Sequence, residues 1–494
     1  MINFRQFPSL TRVVIPKHIK LSTTDFSNAF NNMRNLRTVE LLHDGVTNIS
    51  NTYRYCTNLT GSPTCGNNVT NMSCAYGACN NLTGNPVCGT NVINMGSTYL
   101  MCSNLTGSPV CGDNVTDMSS TYYMCSNLTG SAVCGPNVTD MGSTYRDCSN
   151  LTGSPVCGDK VTEMGITYYN CRNLTGSPVC GENVTNMHGT YRNCTNLTGP
   201  AVCGSNVVSM YYAYYMCSNL TGSPVCGDKV TNIYSTYSGC TNLTGSPVCG
   251  NNVTDMSSTY SGCTNLTGSP VCGPNVTNMR SSYSLCGNIT GSPVCGEKVT
   301  SMWATYSGCT NLTGSPVCGN NVTDMYSTYI QCYNLTGSPV CGPNVTNISK
   351  TYEGCIGISG NAYFYSNNVS NAQNCFRGIN TSNRLNIYVH SESTTLNTLL
   401  ANDVSSLVGE AITWTQSGSN YYYNMVQNIY IYPVANVAAA YEANENSSEE
   451  GTLDDFTYTE NNGIYTLTGW KGTYQGVESE DCIIPDMGKG NVEI

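Results

Sequence analysis

Charge is scarce in this 494-residue chain: 10% of residues are Asp, Glu, Lys or Arg, with only four histidines, three tryptophans and seven phenylalanines. So few cations exclude the basic face that nucleic acid requires. The net charge of −11 is placed unevenly. Residues 391–494 hold 15 acidic against 2 basic side chains, whereas residues 1–390 hold 15 against 17. No apolar run approaches the roughly 18 residues that a membrane span needs. The first residues, MINFRQFPSLTRVVIPKHIK, lack the apolar stretch of a signal peptide. Work outside a cell would therefore require another exit route, or release by lysis as part of a particle. The histidines, His18, His43, His188 and His390, belong to no Ser–His–Asp set. Neither a phosphate loop nor a paired-carboxylate motif can be named. Neither an enzyme nor a cofactor is expected.

What the chain has instead is one 23-residue phrase, complete in Asn252–Pro274 as NVTDMSSTYSGCTNLTGSPVCGP. Fourteen copies open at Val46, Val69 and so on to Val345 without insertion or deletion, and a looser one opens at Val369. A fixed period in this range is the mark of a solenoid, in which no coil can bury its apolar side alone. Val253, Met256, Tyr260, Cys263, Leu266 and Val271 are the expected inward set. Gly268 and Gly273 suit tight corners. Pro270 recurs in eleven of thirteen copies, with Ala132 and Ala201 as the exceptions. Having no N–H to donate to a neighbouring coil, it marks a corner rather than mid-strand. Coils stacked about 4.8 Å apart would make a rod of roughly 70 Å.

Residues 1–45 form an N-terminal cap. Leu10-Thr-Arg-Val13-Val-Ile15-Pro16, with Ala29-Phe30, Met33, Leu36, Val39 and Leu41, follows the pattern LTxVxIP … AFxxCxxLxxIxL. This resembles the BspA-like branch of the leucine-rich repeats, found in bacterial surface proteins. From Val46 the phrase VTNMxxTYxxCxNLTG is similar to the VTNMxxMFxxCxxLT repeats of mycoplasma-type and Firmicutes surface proteins, with Tyr in place of Phe. The resemblance covers about residues 8–385. It implies a β-rich, right-handed solenoid of leucine-rich-repeat type. Where those repeats continue LTSLDL, this chain reads LTGSPVCG, which shortens or bends the implied strand. Residues 46–390 are the solenoid, ending in the strand Leu385–Val389. Residues 391–494 form a small, mixed, acidic C-terminal domain, cap or docking segment. Its expected elements are a helix at Thr395–Leu407, strands at Ala411–Thr415 and Gln427–Tyr432, and a linker at Glu442–Asp455. Tyr465–Trp470 and Cys482–Pro485 echo the repeat's strand.

The 30 cysteines form two columns: fourteen in YxxC, thirteen in VCG, with Cys74, Cys375 and Cys482 apart. Their spacing alternates 9 and 14, unlike the close pairs of a zinc site. The YxxC column suits buried reduced thiols. The VCG column, if turned outward, would allow sporadic disulfides between coils. Asn-Leu-Thr and Asn-Val-Thr match the glycosylation sequon, but glycans one coil apart would collide, so asparagine ladders along the stack are the alternative. Asp117, Asp140, Glu163, Asp255 and Asp324, like Asp113, Asp159, Glu182, Asp228 and Glu297, are either oxygen ligands for Ca²⁺ or solvated corners.

A few columns vary in a repeat that is otherwise fixed. They place His188, Arg192, Tyr211, Tyr212, Tyr215, Tyr234, Arg280, Trp303 and Tyr326 on a Ser/Thr/Gly surface. Such a stripe suits flat sugar rings or another protein's patch; drift at exposed positions is the alternative. The expectation is non-enzymatic binding at a virion or extracellular surface, as a phage fibre or tail adhesin with a cell-surface glycan or protein as receptor. The resemblance extends to tail and fibre proteins of phages that infect gut bacteria. A bacterial adhesin and a structural spacer or capsid decoration are the other readings. Either end could dock other virion or surface proteins, and a homo-oligomer is possible.

Overall fold

The computed structural model describes residues 4–16, 20–41, 43–379, 382, 384–401, 414–417, 421–424, 428–445, 456–461, 464–470 and 492–493. Val253, Met256, Tyr260, Cys263 and Leu266 are fully buried, and their counterparts in neighbouring coils join them in one apolar core. The Tyr column is a ring stack: Tyr237, Tyr260 and Tyr283 follow one another with centroids 5.7 and 5.6 Å apart. It begins at Phe4 and Phe30 and ends on Phe376.

Coils are joined mainly through turns. The N–H groups of Met256, Ser258, Tyr260 and Gly262 donate to the carbonyls of Asn278, Arg280, Ser282 and Ser284 in the next coil. The residues between them, Thr259 and Ser261, together with Cys263, close local turns onto Met256, Ser258 and Tyr260. This alternation requires left-handed backbone twice per coil, at Ser258 (φ 54°) and Gly262 (φ 76°). β pairing is one residue wide: parallel bridges such as Asp255↔Asn278 repeat coil by coil from Asp25 to Asn371. The bridging side chain then caps the turn, as when Asp255 Oδ1 accepts the Ser257 N–H at 2.8 Å. The column holding Asp117, Asp140, Glu163 and Asp324 does the same.

One inward assignment needs correction. Pro270 is buried, whereas Val271 is half-exposed. The reason is the direction of the Val271 peptide groups, which point into the coil. The Tyr283 hydroxyl donates to the Val271 carbonyl at 2.6 Å and accepts from the Val271 N–H at 3.0 Å. The same two hydrogen bonds pair Tyr260 with Val248 and Tyr306 with Val294. A buried phenol needs a partner, and a peptide group turned inward needs one too. Proline, lacking an N–H, starts this unladdered stretch at no further loss. Gly268 takes φ 81°, as a corner does. Gly273 serves another purpose: a Cβ there would sit 2.9 Å from Cys249 Sγ and from the Gly250 carbonyl.

Regular strands appear at the ends. β1 (Arg12–Ile15) pairs in parallel with β2 (Thr38–Leu41), which lies 26 residues on at Arg12↔Thr38. β3 (Val340–Cys341), β4 (Gly360–Phe364), β5 (Leu385–His390) and β8 (Ile429–Val434) run parallel in one sheet, completed by antiparallel β7 (Tyr421–Asn424) and β6 (Thr415–Ser417). The sheet thus runs from the last coils into the acidic C-terminal part. The helix expected at 395–407 is α1 (Thr394–Ala401); its last six expected residues lie outside the described ones. Of the strand expected at 411–415, Trp414 and Thr415 are described, and of these Thr415 alone lies in a strand, β6. The start of the expected linker is instead helical: α2 (Val437–Glu445) is rich in alanine and capped by the Asn436 side chain on the N–H groups of Ala438 and Ala439. Residues 446–455 and Cys482–Pro485 lie outside the described residues. β9 (Phe456–Asn461), β10 (Ile464–Trp470) and β11 (Val492–Glu493) form a separate sheet. Among the described residues no helix is long and apolar enough to cross a membrane.

Candidate functional site

Cysteine is the most reactive side chain that the repeat carries. All described cysteines are free. Cys263 donates through its thiol to the Tyr237 carbonyl at 3.0 Å, and burial pushes its pKa well above the ordinary thiol value. The VCG column is not turned fully outward. Cys249 is half-buried against the core, and desolvation raises it to about 12. A thiol held protonated is a poor nucleophile and a poor metal ligand. Among the described residues no three His, Cys, Asp or Glu gather as a metal set.

The Asn-Val-Thr asparagines tie coil to coil. Asn252 Nδ2, the nitrogen a glycan would occupy, donates to the Asp228 carbonyl at 2.8 Å, and Asn275 repeats the bond to Asn251 at 2.9 Å. Where lysine replaces this asparagine, Lys160, Lys229 and Lys298 reach the Oδ1 of Asn137, Asn206 and Asn275. The ladder is amide-to-backbone in this column. In Asn-Leu-Thr it is a looser amide-to-amide contact, 3.3 Å between Asn242 and Asn219.

The variable columns lie on the turn segments that carry the coil-to-coil ladder. Because those turns repeat at the coil spacing, equivalent side chains stack upon one another. His188, Tyr211 and Tyr234 are three consecutive members of one column, with centroid separations of 5.0 and 5.4 Å. Tyr212 lies edge-on to Tyr211, Tyr215 and Tyr234, at 4.4, 5.2 and 5.2 Å. Burial, with the Tyr234 hydroxyl beside it, pushes the Tyr212 phenol up to about 12. Arg192 lies over both Tyr212 and Tyr215, at 4.5 and 4.9 Å. Six of the nine expected stripe residues therefore meet in one patch. The other three form a second run in the His188 column beyond Ser257, where Arg280 covers Trp303 at 4.2 Å and Trp303 stacks on Tyr326 at 5.6 Å. Except for exposed Arg280, the stripe residues are half-buried, since each covers the next.

Sequence reasoning did not single out Tyr169, which lies between Arg146 and Arg192 in the variable column that also holds Tyr123. The column continues to Tyr215, and Arg146 lies 4.8 and 5.1 Å from the Tyr123 and Tyr169 rings. Reading that single column down the chain, one residue every 23, would have exposed the alternation. A second aromatic group went unnoticed on the C-terminal sheet, where Tyr363, Tyr388 and Tyr432 stack at 5.1 and 5.0 Å across β4, β5 and β8. Arg384 lies 3.8 Å over Tyr430 beside them.

A parallel stack of 23-residue coils with inward Val, Met, Tyr, Cys and Leu columns is a solenoid of leucine-rich-repeat type. Two solved structures similar to it are a leucine-rich repeat protein from Bacteroides ovatus and a leucine rich cell surface protein from Faecalibacterium prausnitzii. The first is 15% identical over 78% of this chain and 89% of its own, with a TM-score of 0.49. The second is 15% identical over 71% and 88%, with a TM-score of 0.31. No family model and no curated protein matches the chain.

Proposed function

We propose that the protein is a non-enzymatic extracellular binding protein, a virion fibre or tail adhesin that attaches to a receptor on a bacterial surface. The observation that carries this reading is the patch joining His188, Arg192, Tyr211, Tyr212, Tyr215 and Tyr234. Aromatic clusters on the outside of a rod lower its solubility and mark recognition surfaces. A scaffold tied coil to coil loses little ordering entropy when that surface is covered. A bacterial surface adhesin uses the same patch in the same way; a spacer does not use it at all.

The test is the triple variant Tyr211→Ser, Tyr212→Ser, Tyr234→Ser. Ser257 and Ser258 already hold these columns two coils or fewer away, Ser258 with the same left-handed backbone as Tyr212. Folding is therefore expected to persist, while attachment to target cells falls at least about tenfold, or 1.4 kcal/mol. Unchanged attachment by a folded triple variant would make the stripe drift and the rod a spacer.

A further inference from the structure

We infer that the turn face from Met101 to Met216 docks a folded protein, so that the receptor in the reading above is a protein and not a glycan. This rests on that reading and narrows it. The core of the face is a five-coil ladder, Tyr123, Arg146, Tyr169, Arg192 and Tyr215, in which rings and guanidinium groups alternate. Arg146 lies 4.8 and 5.1 Å from the rings on its two sides, and Arg192 lies 5.3 and 4.9 Å from its own. Tyr169 therefore has a cation over both faces. A sugar ring stacks on an open aromatic face, and here the faces are already taken by neighbouring coils. What remains outward is a row of ring edges, hydroxyl groups and fixed positive charge.

Beside this ladder runs the column immediately before the YxxC cysteine. It places Met101, Met124 and Met216 at 43%, 38% and 45% exposure. All three sit in left-handed backbone, at φ 62°, 60° and 60°. Further along the rod the same column is Gly239, Gly262, Gly308 and Gly354, where that conformation is free of strain, with Leu285 and Gln331 among them in left-handed backbone. Left-handed backbone crowds an L-residue's Cβ against the following carbonyl oxygen, and an exposed thioether adds nothing to the core. Folding gives no reason for methionine at these positions. Between them, Asp147, Asn170 and Asn193 are linked amide to side-chain oxygen at 2.7 and 3.0 Å, a fixed polar strip. Tyrosine, arginine and methionine are the residues enriched where protein surfaces meet, and Tyr and Arg dominate their energetic centres. Six coils span about 24 Å at the spacing of stacked strands, close to the edge of a patch of about 800 Å². The partner surface is apolar towards the methionines and carries a carboxylate towards Arg192, whereas Arg146 already has the Asp147 carboxylate at 3.4 Å.

The experiment uses the full chain, fluorescently labelled, on whole Gram-negative and Gram-positive cells, each left untreated, shaved with proteinase K or oxidised with periodate. The chain is compared with Tyr123→Ser/Tyr169→Ser, a double change outside the Tyr211–Tyr234 patch to the residue already present at Ser238, Ser261 and Ser284 in that column. Binding by the parent that protease removes and periodate spares, with at least a tenfold loss in the double variant, is the expected result. Binding removed by periodate and spared by protease would overturn the proposal in favour of a glycan. Parent binding that the double variant retains would overturn this face while leaving the Tyr211–Tyr234 patch standing. Sedimentation of the parent as an oligomer that the double variant abolishes would identify the occupant as a second copy, and parent binding to no cell would refute both readings.

Discussion

Changing Tyr283 to Phe should be far more damaging than the loss of one hydroxyl suggests. In most buried settings that substitution forfeits one hydrogen bond, with a net value of about 1 kcal/mol. Here the hydroxyl is the partner of both peptide groups of Val271, at 2.6 and 3.0 Å. Neither group has another backbone partner, since the Pro270–Val271 stretch joins no coil-to-coil ladder. Phenylalanine would fill the same space, keep the ring stack and leave an N–H and a C=O facing an apolar ring. An unsatisfied buried group costs about 1–3 kcal/mol, so the expected destabilisation is about 3 kcal/mol. Because coils couple only to neighbours, it should appear locally. Hydrogen exchange read by mass spectrometry should show faster exchange in peptides spanning 265–290, with the distant coils unchanged. A variant whose exchange rises by no more than an ordinary Tyr→Phe change would refute the account of the phenol as a backbone clamp.

Three further outcomes are expected. Leu266→Asp places an unpaired charge in the core, and calorimetry or exchange should show melting that begins around that coil; an even rise along the rod would contradict it. Thiol titration of denatured, unreduced protein should recover most of the 30 cysteines, and recovery of fewer than about half would mean that disulfides pin the coils. High pH should unfold the rod steeply. Burial raises thiols such as Cys263 and phenols such as Tyr260 in the folded chain, so the unfolded chain releases protons first and stability falls as pH rises past the unfolded thiol value. Each fully shifted group contributes a slope of about 1.4 kcal/mol per pH unit, and a midpoint unchanged between pH 8 and 10.5 would exclude this.

The core columns were legible because burial of Val253, Met256, Tyr260, Cys263 and Leu266 repeats at a period that side-chain chemistry alone reveals. The Pro270–Val271 pair was misread because both are apolar, and what distinguishes them is the direction of a peptide group. The clue was nevertheless present in two departures from the repeats that the sequence resembles, Tyr for Phe and GSPV for a strand. They belong together: the hydroxyl replaces the strand's hydrogen bonds. The stripe was legible where large residues interrupt a Ser/Gly column, as at Tyr211 and Trp303. It was incomplete at Tyr169, because alternation shows only when one column is followed across five coils. The acidic column at Asp255 gave no sign of its role, since capping a turn depends on a backbone that composition does not describe.

The invariant junction between coils also makes the rod a graduated ruler. Any 23-residue unit between Val69 and Val345 presents the same donors and acceptors to either neighbour, so excising one whole unit should rejoin the chain without a scar. Each excision would shorten the rod by one graduation, about 4.8 Å. Reach and recognition can therefore be edited separately. The unit that carries Ser257, Ser258 and Ser261 holds none of the stripe residues, so its removal shortens the rod without deleting a recognition side chain. Removing the unit that carries Tyr169 sets Arg146 directly against Arg192 and turns an attractive column into a repulsive one.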